Sequence, residues 1–346
     1  MFIPSYTITN KILKNIAKIE AAEEVIRNAP LLPLWEKQFK EEAVVRAVYH
    51  GTHLEGNPLN KDDARDILLG KTIAGRPRDI QEIINYRKVI EFIDEEAKKK
   101  IEKITEQLIQ KLHRIIVDKI LPPEEAGIYR RKQVVIRNSQ TGEVTFKPPS
   151  AIEVSFLMRE FVYWLNKTNE EIHPVLKAGI AHHELVRIHP FIDGNGRVAR
   201  VLATLILFLG GYDIRRFFSL EEYYDKDAAS YYQNLQKASQ GDLTSWLEYF
   251  TFGAAFEFER IKEKVLKLSK DVRLKEKFGG QQIFLTERQI KIIEYIQEVG
   301  YLQNQAFKQI FPDISEDTVL RDLKFLIDKG LIKKVGKTKS ARYVLV

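Results

Sequence analysis

Twelve residues near the middle of the chain could do chemistry together: His189-Pro190-Phe191-Ile192-Asp193-Gly194-Asn195-Gly196-Arg197-Val198-Ala199-Arg200. They combine an imidazole, a carboxylate, two glycines around an asparagine, and a pair of arginines, which are the parts that work on a polyphosphate requires. The apolar run Val201–Leu209 follows directly and reads as a buried helix, so Gly194-Asn195-Gly196 is expected where a loop enters a helix N-terminus. Unpaired N–H groups and the positive end of the helix dipole make such a point an anion site. Glycines there let the backbone approach the anion and adopt positive φ. Arg197 is expected in the first turn and Arg200 one turn further along the same face, where guanidinium groups can clamp phosphate oxygens bidentately. Asp193 is the single carboxylate with which a protein typically holds Mg²⁺, substrate phosphates and water completing the shell. His189 alone titrates near neutrality and is the candidate general base for an incoming hydroxyl. Pro190 puts His189 at the end of the preceding helix, aimed into the loop. A glycine corner with a solvated arginine pair is the structural alternative, and the convergence of six functional residue types weighs against it.

The pattern His-Pro-Phe-x-Asp-Gly-Asn-Gly-Arg-x-x-Arg resembles the signature of the Fic family, enzymes that transfer AMP from ATP to protein hydroxyls, and it is matched at every motif position. The resemblance implies that His189 deprotonates a Ser, Thr or Tyr hydroxyl of a target protein, which then attacks the α-phosphate. It implies that Asp193 holds Mg²⁺ on the α- and β-phosphates while Asn195 and the Gly194 and Gly196 backbone cradle them. Arg197 would bind the γ-phosphate, Arg200 would support the phosphate site, and pyrophosphate would leave. Relatives that move phosphate or phosphocholine usually alter the glycine-asparagine-glycine loop. It is intact here, so AMP transfer is the expectation.

The rest of the chain must position these groups. Its 346 residues suggest two or three domains, and 44% hydrophobic residues suffice for real cores. No cysteine is present, which excludes a disulfide framework and a cysteine zinc site. The N-terminal residues do not read as a secretory signal, and the longest apolar run is too short to span a bilayer, so a cytoplasmic protein with no membrane partner is expected. The net charge of +7 is mild for this size. The fold class is mainly α: a Fic-type helical bundle with a β-hairpin flap, plus a small C-terminal winged-helix domain. Expected units are an N-terminal helical region (1–100), the Fic core (101–260), a basic helical linker (261–282) and a winged helix-turn-helix (283–346).

Within the N-terminal region a helix around Glu41–His50 runs into Gly51-Thr52-His53-Leu54-Glu55-Gly56-Asn57-Pro58, whose last three residues end it. Glu55 is either a surface carboxylate beside a helix end or more. Many Fic proteins carry an inhibitory helix bearing Ser/Thr-x-x-x-Glu-Gly/Asn, and the resemblance implies that Glu55 pairs with Arg197 and displaces the γ-phosphate. Here Gly51 stands at the hydroxyl position, and Thr52 is the nearest hydroxyl. The stretch 57–94, with Arg78, Glu82 and Tyr86, also resembles the family but suggests no role.

In the core, an amphipathic helix over Ile104–Ile120 stops at Pro122-Pro123. Two short runs, Gln133–Arg137 and Val144–Lys147, then flank a glycine-containing turn at Asn138–Gly142 and read as a hairpin. Its free edge could capture an extended peptide, or it could simply cap the core. Fic enzymes use such a flap to bring the target segment to the histidine. Helices Ile152–Asn166 and Pro174–Ile188 follow, and His182 is expected on the core side rather than as a metal ligand. Beyond the motif helix, Tyr232 resembles the tyrosine that flanks adenine in the family, while Asp242 is an expected N-cap.

The tail, after a glycine pair at 279–280, resembles a winged helix-turn-helix: helices over Thr286–Val299 and Gln303–Phe311, a third capped by Ser315, and strands over 331–334 and 341–345. Thr318, Arg321 and Lys324 would face a DNA groove, with Lys337 and Lys339 in the wing on phosphates. Glu316, Asp317 and Asp322 oppose that reading and favour protein docking or a homodimer. Three functions stay open: an ATP- and Mg²⁺-dependent protein adenylyltransferase restrained by Glu55, a de-AMPylating hydrolase at the same site, and a nucleotide-sensing DNA-binding regulator.

Overall fold

The structure is a computed structural model that describes all residues except 1, 30, 32, 100, 138–143, 168–171, 213–216, 278–284, 313 and 337–340. It divides into two compact units, residues 1–269 and 270–346.

In the first unit a central helix pair carries the site. α7 (Pro174–Ile188) and α8 (Asn195–Leu209) are buried almost all round, the pattern of helices at the middle of a bundle rather than on its surface. α7 begins with Pro174 at its first position, where the missing N–H costs nothing. It bears His182, wholly buried, whose ring stacks on Trp246 at 5.0 Å and whose Nε2 accepts the Tyr231 hydroxyl at 3.1 Å. That is the expected core histidine. Trp246 donates its indole N–H to Gly179 O at 2.7 Å, so burying it leaves no donor unpaired while contributing roughly 2–3 kcal/mol of apolar burial.

Around this pair lie α1 (Asn10–Asn28), α2 (Pro33–His53), α3 (Lys61–Leu68), α4 (Pro77–Lys98), α5 (Glu106–Ile116) and α6 (Val154–Lys167). α9 (Glu221–Lys226), α10 (Ala228–Ala238) and α11 (Thr244–Lys277) complete the helices. The stretch expected as a linker from 261 is the latter half of α11. Asp242 accepts the Thr244 N–H at 3.0 Å at the start of that helix. The hairpin consists of β1 (Ile136–Arg137) and β2 (Val144–Phe146), antiparallel, with Ile136 opposite Phe146 and an irregular register. Its expected turn at Asn138–Gly142 lies outside the described residues.

The second unit has α12 (Glu287–Val299), α13 (Phe307–Ile310), α14 (Glu316–Asp328) and the antiparallel strands β3 (Ile332–Val335) and β4 (Arg342–Leu345). Ile292, Leu302, Phe307, Val319, Leu323 and Tyr343 form its core. Thr286 and Gln289 cap α12 reciprocally, a capping box. The second helix, expected over Gln303–Phe311, is a 3₁₀ turn at Asn304–Ala306 followed by α13. The glycine pair at 279–280 lies outside the described residues.

Candidate active site

α7 ends where Pro190 forbids another turn, and His189 caps it in the left-handed region at φ 51°. For a non-glycine residue this costs roughly 1–2 kcal/mol, so something must hold it there. The imidazole Nδ1 faces Val186 O at 3.3 Å. A carbonyl oxygen only accepts, so Nδ1 carries the proton and Nε2 is left with its lone pair. Burial pushes the ring below its ordinary pKa, and Arg130 adds to this against the opposite pull of Val186 O, Glu55 and Asp193. The group is therefore neutral near pH 7, as a base must be.

The loop behind it is cross-braced. Asn195 Oδ1 accepts the Phe191 N–H and its Nδ2 donates to Phe191 O, each at 2.9 Å. The Asn195 side chain, expected to cradle phosphate, is thus occupied in shaping the loop, and its backbone N–H is what remains for an anion. His113 stacks face to face on Phe191 at 3.8 Å, accepts the Gly127 N–H on Nδ1 at 2.8 Å and donates from Nε2 to Asp193 O at 3.0 Å. Gly194 sits at the N-cap of α8 at φ 77°, a conformation open to glycine, and places the first-turn N–H groups at the loop. At Gly196 a side chain would collide with the Glu55 carboxylate and come within 3.2 Å of Arg200 Nη1.

Asp193 has both oxygens engaged: Oδ1 accepts the Gly194 N–H at 2.6 Å and Arg197 Nη2 at 3.3 Å, and Oδ2 accepts Arg78 Nη2 at 2.9 Å. Burial alone would raise its carboxyl pKa, but Arg197, the Gly194 N–H and Arg78 outweigh it and hold the group ionised. Arg197 and Arg200 are each 2% exposed, and in both the Nε proton lacks a hydrogen-bond acceptor, while each Nη1 faces a carboxylate outside hydrogen-bond geometry. Buried guanidinium protons without acceptors at a helix N-terminus fit a phosphate. Among the described residues no cluster of three or more imidazole or carboxylate groups could bind a metal unaided. Asp193 alone, sharing an ion with substrate phosphates, fits the habit of Mg²⁺.

The expected pairing of Glu55 with Arg197 is corrected by the structure. Glu55 lies just past α2, in the turn closed by Gly56 at φ 89°, and its Oε1 is 2.8 Å from Arg200 Nη1. Arg197, one turn earlier, is rotated toward α4, where Glu82 lies 3.4 Å from its Nη1. Arg200 also donates from Nη2 to Gly51 O at 2.8 Å. Tyr86 explains the glycine at 51: a Cβ there would stand 2.5 Å from the Tyr86 ring. The tyrosine fills the room that a Ser or Thr would need, and its hydroxyl donates to Glu221 at 3.1 Å. Thr52 bonds its own helix, donating to Val48 O at 2.9 Å. Tyr232, expected beside adenine, donates its hydroxyl to Leu54 O at 3.1 Å and is 48% exposed as a residue, so it adjoins the Glu55 turn. Upstream, α2 is clamped to α9 through Arg46–Glu222 at 3.0 Å, and His50 and His53 both on Asp225 at 2.7 and 2.8 Å. Sequence reasoning missed Arg78, Glu82, His113 and Arg130. Only the four-residue spacing of Arg78 and Glu82 on one helix face signalled a shared position.

In the second unit Arg321 and Lys324 are exposed and Thr318 partly so, on one face of α14. Asp322, expected to repel phosphates from that face, is 6% exposed and turned inward, where it accepts Gln289 Nε2 at 2.9 Å and pairs with Arg288. The Ser315 hydroxyl bonds Thr318 Oγ1 at 2.9 Å rather than a backbone N–H. Lys337 and Lys339 lie outside the described residues.

A helical core that offers a neutral imidazole beside a glycine-rich helix N-terminus, with a winged helix in a second unit, defines the class of protein. Residues 103–207 match the Fic/DOC family and residues 288–336 the DeoR-like helix-turn-helix domain. The chain thus carries a stretch of Fic/DOC type over residues 103–207. It is 33% identical to the protein adenylyltransferase Fic of Drosophila grimshawi over 216 residues, 62% of this chain and 42% of that one. The chain thus spans less than half the length of that curated relative. Among solved structures, a Fic family protein from Desulfovibrio desulfuricans G20 has the same fold, with a TM-score of 0.67 at 24% identity over 100% of this chain and 98% of that one. Fic-1 (residues 134–508) from C. elegans matches with a TM-score of 0.61 at 27% identity over 73% of each chain. Among the described residues no helix is long and apolar enough to cross a membrane.

Proposed function

We propose that the chain is a protein adenylyltransferase that moves AMP from ATP to Ser, Thr or Tyr hydroxyls of a target protein and of itself, restrained by Glu55. The observation that carries this reading is the pair of buried guanidinium groups of Arg197 and Arg200, each with an acceptor-free Nε proton, at the helix N-terminus reached by the loop from His189, whose Nε2 is bare. A target segment laid along the β1–β2 hairpin brings its hydroxyl to His189. Nε2 takes the hydroxyl proton, the oxygen forms a bond to the α-phosphorus, and the bond from that phosphorus to the bridging oxygen breaks. The displaced oxygen leaves with pyrophosphate, whose charge Arg197, Arg200 and the first-turn N–H groups of α8 stabilise. Asp193 would hold Mg²⁺, which neutralises charge on the α- and β-phosphates when bound. Glu55 occupies Arg200, so in this arrangement the chain rests in an off state. Tyr232 supports the same restraint by holding Leu54 O and would flank the adenine once the Glu55 turn withdraws.

The second unit we read as a DNA-binding module, with Thr318, Arg321 and Lys324 at base edges and phosphates and with Lys337 and Lys339 as further phosphate contacts. The inward turn of Asp322 favours this over protein docking, because it removes one of three acids from the presenting helix.

Wild type, Glu55→Gly and His189→Ala incubated with ATP labelled on the α- or the γ-phosphate decide the reaction. Self-labelling from the α-position alone, raised by Glu55→Gly and lost in His189→Ala, is expected. Label from the γ-position would make the chain a kinase. Release of AMP from a modified substrate without transfer would make it a hydrolase.

A further inference from the structure

Arg130 is the one buried arginine of the core that touches neither the phosphate loop nor, among the described residues, a carboxylate. It is 2% exposed, and among the described residues every hydrogen-bond partner of its guanidinium is a backbone carbonyl. Nε donates to His189 O at 2.8 Å and Nη2 to Ile188 O at 3.4 Å. Nη2 also donates to Pro149 O at 2.6 Å, and Nη1 to Lys132 O at 3.3 Å. The Arg130 backbone N–H donates to Pro190 O at 2.8 Å. Two of these carbonyls are the last of α7, where the helix dipole favours a cation. The other two stand on the two legs of the β1–β2 hairpin, Lys132 before it and Pro149 after it.

A planar fork of five donors suits this task, because it can bind carbonyls from three directions at once while staying charged. The position also meets a need. His189 is held at φ 51° with a proline behind it, and its side chain contributes a single long hydrogen bond of its own. A strained backbone persists only where its surroundings over-determine it, and the Arg130 contacts to Ile188, His189 and Pro190 supply that determination.

We propose that Arg130 is the positioning residue of this site, tying the backbone of His189 to both legs of the hairpin so that base and acceptor segment are held in one frame. This rests on the reading of His189 as base and of the hairpin as the acceptor's seat. Arg130 acts through His189 and does not itself meet the nucleotide. Its loss therefore alters the transfer step and leaves the phosphate site, built on α8, in place.

The test uses full-length Arg130→Lys and Arg130→Gln in the Glu55→Gly background. Three measurements are made: ATP affinity by calorimetry, the rate of α-label transfer across pH, and the ring titration of His189 by ¹⁵N NMR assigned with His189→Ala. Both variants are expected to bind ATP within about 3-fold of the parent while transfer falls roughly 10- to 100-fold. The His189 titration, and with it the acid limb of the rate profile, should move to higher pH. Lysine, which keeps the charge but not the fork, should recover the titration more than the rate. Unchanged transfer and unchanged titration would overturn the proposal. So would a parallel loss of ATP affinity, transfer and melting temperature, which would make Arg130 merely structural. If the parent transfers no label but the variants still shift the His189 titration, the adenylyltransferase reading fails and the positioning role stands.

Discussion

Glu55 and Arg200 form an ion pair of 2.8 Å between the turn after α2 and the second turn of α8, the guanidinium buried and the carboxylate 29% exposed at its side chain. Arg197 takes no part in it, being held by Glu82 and Asp193. Of these two arginines of α8, one is paired with an internal carboxylate and the other is braced from the opposite side by α4. The two should therefore separate in function, Arg200 answering to inhibition and Arg197 to the organisation of Asp193.

The seat of the Glu55 turn depends on Gly51 lying against Tyr86. Gly51→Ser puts a Cβ where the ring stands, and an overpacked contact of this kind typically costs about 1–3 kcal/mol. The variant should melt lower than wild type and release Glu55, raising self-labelling. Gly51→Ser with Tyr86→Ala should regain part of the stability because the obstructing ring is gone. Equal melting points for wild type and Gly51→Ser would show that the contact is slack.

Acid should unfold the first unit from within. Burial pushes His113 and His183 each down to about 4. The unfolded chain then binds protons that the folded chain refuses between pH 6.5 and 4, so stability declines as pH falls through that window and levels off below it. Each histidine contributes about 3 kcal/mol to the decline. His113→Asn would flatten its share of the slope in urea titrations, at some cost in baseline stability. A slope unchanged in that variant would contradict the assignment.

The winged helix predicts its own salt dependence. Arg321→Ala and Lys324→Ala should each lower the slope of log affinity against log salt for duplex DNA by about 1 if they meet phosphates. Asp322→Asn should leave the slope unaltered, since that carboxylate is buried against Gln289 and Arg288, though it should lower the melting point of the second unit. A salt-independent interaction would point to protein docking instead.

Much of this was legible in the chain. The ends of α7 and α8 follow from Pro190 and Gly194, because a fixed φ and a positive φ act within a residue or two. The hairpin, the capped α12 and the third helix of the wing were likewise local matters. The partner of Glu55 was not, since choosing between Arg197 and Arg200 depends on how α2, α4 and α8 rotate against one another. Arg78, Glu82 and Arg130 escaped for the same reason: their distant partners Asp193, Arg197, Pro149 and His189 lie between 19 and 115 residues away in sequence, and no periodicity records such a meeting. Asp322 looked like an exposed acid because helix spacing alone does not say which acids an inward Gln289 and Arg288 will claim. The 3₁₀ turn before α13 shows the opposite failure, a short polar stretch where packing rather than pattern set the geometry.

On the proposed function, Glu55 and ATP contend for Arg200. Calorimetric ATP affinities of wild type, Glu55→Gly, Arg200→Ala and the double variant measure it most directly. If the claim holds, Glu55→Gly binds ATP about tenfold more tightly than wild type, equivalent to ~1.4 kcal/mol, and the gain vanishes when Arg200 is already alanine. An unchanged affinity in Glu55→Gly, or a gain that survives in the double variant, would contradict it.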